Sequence, residues 1–283
     1  MIAILTDSTC DIPEELIEQY DIHVVPLYII WGEEQFRDRV DMQPIDFYER
    51  LIVDAQRPTT SQAASGDFEK AIQCAVDGGV TEAVILTISS AMSGTYKVAL
   101  EAAKKASIPV TVIDTKGPTM TLGWQVLAAA RARDRGATLD EIVQEVEAVR
   151  GQMVQVVAMQ TLDYLQTGGR IGDAAKWVGS MLNVKPIVKI NHQSGRVEPV
   201  SLARTHKALV RTLYKKFFDM IDLEKPLRIA VLHGNAPSEA EALAERIRAE
   251  FDPVELIVNM TGPVLGVNTG PGALALCGYA EGS

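Results

Sequence analysis

The chain has 283 residues, 47% of them hydrophobic and 23% charged, with 27 Lys and Arg against 37 Asp and Glu for a formal net charge of −10. That balance supports one large or two medium globular cores and excludes long disorder and collagen-like repeats. It also argues against nucleic acid or an anionic membrane as the main partner.

The opening run, Met1 to Thr6, has no basic flank and meets Asp7 at once, so it reads as a first strand rather than a signal peptide or anchor. No other apolar run approaches the ~18–20 residues of a membrane span, so a cytoplasmic protein without stable membrane insertion is expected. Strands over 2–6, 23–30, 83–88 and 110–113 alternate with helical patterns over 13–19, 94–106 and 122–133. That order predicts a parallel sheet with helices on both faces. Thr138 is placed to cap a helix that ends before Gly151, where a domain boundary is expected, dividing the chain into 1–150 and 151–283.

The second half starts with a strand over 153–160, a turn at Thr167-Gly168-Gly169 and a helical stretch. Paired strands follow over 186–190 and 196–203, joined through His192-Gln193-Ser194-Gly195 as a hairpin. A helix over 205–220, a strand over 227–233, a helix over 237–250 and a strand over 254–259 complete a mixed α/β layer. Net charge is −11 over 1–150, +6 over 151–220 and −5 over 221–283. Within the basic island, Lys207, Arg211 and Lys215 recur at i, i+4 spacing, with Arg204 just ahead. This stripe is either a solvated helix face or a docking surface for an acidic or phosphate-bearing partner.

Motifs for catalysis are missing. There is no P-loop, and no Gly-x-Gly-x-x-Gly follows the first strand. Asp7-Ser8-Thr9 lacks the second acid that an aspartyl phosphotransferase uses on the leaving group. Ser93 lacks the glycine pair of a hydrolase nucleophile turn. The histidines, His23, His192, His206 and His233, are dispersed and show no metal-ligand spacing. Cys10, Cys74 and Cys277 are scattered, which suits reduced core residues better than a disulfide framework.

Hydroxyls and glycines at strand-to-helix turns remain. Ser89-Ser90-Ala91-Met92-Ser93-Gly94-Thr95 opens a helix whose unpaired N–H groups suit a carboxylate or phosphate. Ser93 either donates its hydroxyl to that anion or caps the helix. Pro58-Thr59-Thr60-Ser61-Gln62 reads as a turn and cap leading to a helix around 68–76. The stretch 261–272 holds four glycines and two prolines, a backbone suited to close approach of a ligand or to a surface loop.

In order, these segments resemble the DegV family of bacterial fatty-acid-binding proteins, of the FakB type, over essentially the whole chain. The resemblance rests on 6–13 (TDSTCDIP), 58–62 (PTTSQ), 89–96 (SSAMSGTY), 162–171 (LDYLQTGGRI), Lys185-Pro186-Ile187 and the closing Gly-Pro-Val to Gly-Pro-Gly stretch. It implies two α/β domains, a three-layer α/β/α domain with a parallel sheet and a two-layer domain with a mixed sheet. It implies a non-enzymatic carrier without cofactor, holding a palmitate-like fatty acid in an apolar tunnel between them. A separate ATP-dependent fatty acid kinase would phosphorylate the bound carboxylate, and the acyl phosphate would enter phospholipid synthesis.

By the same resemblance Thr60 and Ser93, with Ser61 beside them, bind the carboxylate, and Gly94 and Thr95 supply the helix N-terminus beneath it. Arg170 is implied in kinase docking or head-group charge, a role in which the basic stripe of Arg204, Lys207 and Arg211 would join it. Two positions depart from the family pattern: Asn268 stands where His is usual, and Ala63 where Pro is usual. An Asn amide donates a hydrogen bond to a carboxylate but carries neither proton nor charge, so ligand binding is expected to survive better than help with phosphoryl transfer. The alternative is an enzyme acting on a small anionic metabolite in the same cleft, with Asp7 or Asp114 as general base. No nucleophile and base pair supports it.

Overall fold

The structure is a computed structural model that describes residues 1–177 and 184–282. β1 (Ile2–Asp7) runs through a 3-10 turn (Ser8–Cys10) to α1 (Glu14–Gln19) and β2 (Ile22–Val25). Pro26, which lacks a ladder N–H, follows. β3 (Tyr28–Trp31) then leaves the first sheet and pairs antiparallel with β4 (Glu34–Arg37). After α2 (Pro44–Val53), β5 (Thr59–Ser61) takes the other edge of β3. α3 (Ser65–Asp77), β6 (Glu82–Thr87), α4 (Thr95–Ala103) and β7 (Val110–Asp114) complete a parallel sheet of order β2-β1-β6-β7.

Two helices follow, α5 (Met120–Asp134) and α6 (Leu139–Gln152). Then come β8 (Val154–Ala158), α7 (Asp163–Thr167), β9 (Lys185–Asn191), β10 (Arg196–Ala203), α8 (His206–Phe218), β11 (Leu227–His233), α9 (Pro237–Phe251), β12 (Glu255–Met260), α10 (Pro263–Thr269) and β13 (Leu274–Ala280). They build a mixed sheet of order β10-β9-β8-β13-β11-β12. The β9–β10 hairpin closes with Gly195 at φ +71, donating to Asn191 O at 2.7 Å.

Side-chain alternation distributes these sheets among three cores. On β1, Ile4 faces α5 while Leu5 faces the side of α3 and α4. This is the expected three-layer arrangement. On the mixed sheet, Val156, Ile187 and Val231 pack against α8 and α9, whereas Val157, Val188 and Leu232 face the core that holds α5. α5 is buried on nearly all sides, with Leu122, Trp124, Val126 and Leu127 fully buried, as befits a helix caught between two sheets.

A charged knot ties the β1 turn to the loop after β12. Asp11 Oδ1 accepts from Arg39 Nη2 at 2.6 Å and from Gly262 N at 2.9 Å; its Oδ2 accepts from Thr119 Oγ1 at 2.6 Å. Arg39 Nη2 also reaches Met260 O, and Asn259 Nδ2 donates to Asp11 O. Asp11, Arg39 and Thr119 all hold positive φ (51°, 62° and 52°), a costly conformation for side-chain-bearing residues that the knot maintains.

Several sequence expectations need correction. The strand expected over 23–30 divides at Pro26 into members of two different sheets. Thr59–Ser61, expected as a turn, is a strand because its backbone completes the β3 ladder. The closing glycine-rich stretch contains α10, and β13, unforeseen, lies between β8 and β11. Of the cysteines, Cys10 and Cys277 are buried and their thiols are pushed up to about 12 by burial, but Cys74 lies exposed on α3. The helical stretch expected after Gly169 is a 3-10 helix over Gly172–Trp177, and its remainder lies outside the described residues.

Candidate functional site

Between the carboxyl-terminal ends of β6 and β7 and the inward face of the mixed sheet lies a cavity of about 950 Å³, including its open mouth. Its apolar wall comes from alternate residues of the mixed sheet, Val157, Val188, Ile190 and Val197, faced by Leu27, Ile88, Met92 and Val264. Five polar residues on its wall each have one group bonded within the protein. Thr119 donates to Asp11, Thr261 bonds Tyr48 at 2.7 Å, Gln155 accepts from Thr121 at 2.6 Å, and Thr269 donates to Leu265 O at 3.1 Å. His233 accepts from Ala236 N at 3.2 Å, and burial lowers its pKa.

A second cavity of about 650 Å³ adjoins the first; Thr60, Arg170 and Asn268 border both. This junction is the polar end. Thr60, paired with Ile29 in the β3–β5 ladder, presents a hydroxyl that bonds no group among the described residues. Ser61 and Gln62 continue the same wall, and among the described residues Ser61 Oγ bonds only Gln62 O, at 3.4 Å. Ser93 borders the apolar cavity just before α4. Its Oγ accepts the Thr95 N–H at 3.2 Å and lies 2.9 Å from Thr95 Oγ1. Ser93 therefore satisfies a helix N–H and also borders the cavity.

Gly94 and Thr95 stand behind Ser93 rather than on the wall. Thr95 is fully buried, and a Cβ on Gly94 would overlap the Gln62 carboxamide, so glycine lets the β5 segment close over the helix start. Asn268, on α10, donates from Nδ2 to Val264 O at 3.0 Å and packs its Oδ1 against Gly168, where any Cβ would collide. Arg170 reaches across, donating from Nε to Met92 O at 3.0 Å and from Nη1 to Gly168 O at 2.6 Å. It thereby spans the turn after α7 and the loop that carries Ser93, and no carboxylate neutralises it among the described residues.

The remaining candidates lie elsewhere. Lys207 and Arg211 are exposed on α8, opposite its buried Leu209, Leu213 and Phe217, and Arg204 is exposed just before it. None borders either cavity, so head-group charge is not their place; Lys215, in the same stripe, pairs with Asp219 at 2.8 Å. Asp7 is fully buried, accepts from Thr9 N, Thr9 Oγ1 and Ile88 N, and is raised to about 6 by burial. Burial opposes ionisation of Asp114, but Lys116 and Ser90 bond it and hold its pKa low. Neither carboxylate borders either of these two cavities.

Residues that sequence reasoning passed over are Arg57 and Tyr164, on the second cavity. The one signal was a cation directly ahead of the Pro58 hydroxyl cluster. Among the described residues no cluster of three or more His, Cys, Asp or Glu could hold a metal, and no helix is long and apolar enough to cross a membrane.

Comparison with known proteins agrees with this architecture. A family model described as "Uncharacterised protein, DegV family" matches residues 1–281. A DegV domain-containing protein of Streptomyces coelicolor is 34% identical over 277 residues, 97% of each chain. A fatty-acid-binding DegV family protein from Thermus thermophilus superposes with a TM-score of 0.91 at 30% identity over 99% of both chains. A stearic-acid-binding protein from Eubacterium ventriosum superposes with a TM-score of 0.90 at 26% identity, over 99% of this chain and 98% of that one.

Proposed function

The chain belongs to the DegV family, and from that premise we propose that it is a carrier that holds a long-chain fatty acid in the apolar cavity and offers its carboxylate at the polar junction. The observation that carries this reading is the division of labour in the cavity wall: aliphatic side chains, with polar groups bonded within the protein, along one part, and at the junction the Thr60 hydroxyl, which bonds no group among the described residues, beside the Arg170 guanidinium. Burying a methylene contributes about 0.8 kcal/mol, so some fifteen of them contribute on the order of 10 kcal/mol before ordering costs. A carboxylate taken from water needs hydrogen bonds, and Thr60 and Ser93 are the hydroxyls that meet it. Ser61 and Asn268 flank it, Gly94 and Thr95 set the helix start behind Ser93, and Arg170 adds a positive charge.

In this reading the chain is not itself the catalyst. A separate fatty acid kinase brings ATP; a carboxylate oxygen forms a bond to the γ-phosphorus as the bond to the ADP oxygen breaks, giving acyl phosphate and ADP. The exposed Arg204, Lys207 and Arg211 are the surface offered to that kinase. Proximity of the two cavities supports this arrangement, because a phosphoryl group needs space beyond the carboxylate.

The test is native mass spectrometry of the purified protein with extraction and identification of its ligand, followed by palmitate titration of the Thr60→Val, Ser93→Ala double variant. A fatty acid at near-equal molar ratio is expected. Hydrogen bonds to a charged group contribute about 1.5–3 kcal/mol each, so the double variant should bind palmitate at least about a hundredfold more weakly. A wild-type protein that arrives empty and takes up no palmitate would sink the proposal.

A further inference from the structure

The second cavity is more polar than the first. Arg57 and Tyr164 stand on its wall, and Arg170 belongs to both chambers. Arg57 is exposed yet held: its Nη1 donates to the Tyr164 hydroxyl at 2.7 Å, and its guanidinium lies 4.7 Å from the ring centroid. Among the described residues neither Arg57 nor Arg170 is paired with a carboxylate. Asp163 also borders the chamber, so two cations face one anion there. A carboxylate satisfied at the junction leaves this space and the Arg57 guanidinium on its wall beyond its reach, and guanidinium groups match the geometry and charge of a phosphate.

We infer that this chamber receives the phosphoryl group of a bound acyl phosphate, and that Arg57 is the residue by which the protein distinguishes that product from the free fatty acid. The inference rests on the fatty-acid reading of the apolar cavity. Arg57 makes no contact with the carboxylate-binding hydroxyls, so its effect falls on the dianion. Asp163 acts against it by repulsion.

The test compares two ligands by calorimetric titration: palmitate, and 2-oxoheptadecylphosphonate, in which a methylene replaces the labile oxygen of palmitoyl phosphate. In Arg57→Gln the phosphonate should bind about tenfold or more weakly, with palmitate changed by less than about threefold, because a dianion depends more on a nearby guanidinium. Asp163→Asn should tighten the phosphonate severalfold, and added salt should shrink both effects. Equal losses for the two ligands, or none for either, would overturn the assignment. Wild-type protein that binds palmitate but not the phosphonate would overturn it alone, leaving the carrier reading intact; binding of neither would remove both.

Discussion

Ser93 and Thr95 share one hydrogen bond between two hydroxyls, which leaves one O–H proton uncommitted while the Ser93 oxygen also accepts a helix N–H. The place of Ser93 after a strand and before a helix made both a helix-capping and an anion-binding use legible in the sequence. Asp38 was not legible. It is buried beside the charged knot, accepts from Ser8 Oγ at 2.7 Å, and is raised to about 7 by burial, against the lowering influence of Arg39 and Ser8. A carboxyl whose folded pKa exceeds its unfolded value of 3.8 stabilises the fold at low pH and loses that contribution as pH rises from about 4 to about 7. His192, lowered to about 4 by burial, works with the opposite sign and loses stability as pH falls below 6.5. Asp38→Asn should therefore be more stable relative to wild type at pH 8 than at pH 5, by about 2–3 kcal/mol. Urea denaturation of both proteins at the two pH values measures it; an unchanged difference would show that Asp38 ionises freely in the fold.

At the scale of elements, α5 reverses the ordinary effect of helix propensity. Gly123 sits inside it where a Cβ would lie 2.5 Å from Cys10 O and 2.7 Å from Met120 Sδ, because the helix presses against the turn after β1. Gly123→Ala should destabilise the protein by about 1–3 kcal/mol despite alanine's better propensity. Gly66, in α3, has open space around it, and Gly66→Ala should stabilise by about 0.5–1 kcal/mol. Denaturant midpoints of the two variants should move in opposite directions; movement together would mean that packing around α5 relaxes. Both helices were readable from their apolar spacing, but the contrast between their glycines was not, since it depends on what packs outside the helix. β13 escaped for a related reason: its alternation is hidden because both of its faces are buried, and a buried strand shows no polar side.

Across the whole molecule, the acidic chain carries an exposed basic stripe, Arg204, Lys207 and Arg211, just before and along α8, and none of the three borders either cavity. If α8 is where a kinase docks, Lys207→Glu with Arg211→Glu should lower kinase-dependent acyl phosphate formation about tenfold or more while palmitate affinity stays within about twofold, since steering charges act on association. Losses of equal size in both assays would place the damage in the fold instead. The division of the polar residues follows from the same tertiary arrangement: Asp7 and Asp11, conspicuous in sequence at a strand end, are consumed by backbone and by the Arg39 knot, whereas Thr60, in a segment that reads as a turn, reaches the cavity through strand pairing.

From its sequence alone, this protein's α/β class, its parallel first sheet, the β9–β10 hairpin and the helix start at Ser93 were determined, because propensity, alternation and turn chemistry are local. The motifs in order were also enough to indicate the family. Tertiary structure decided the rest: that the 23–30 run serves two sheets, that β13 fills the middle of the second, and that Thr60, Ser93, Arg170 and Asn268, far apart in the chain, border one continuous pair of cavities. Those facts depend on long-range pairing and on which face of each element is covered, and no local pattern of residues encodes either.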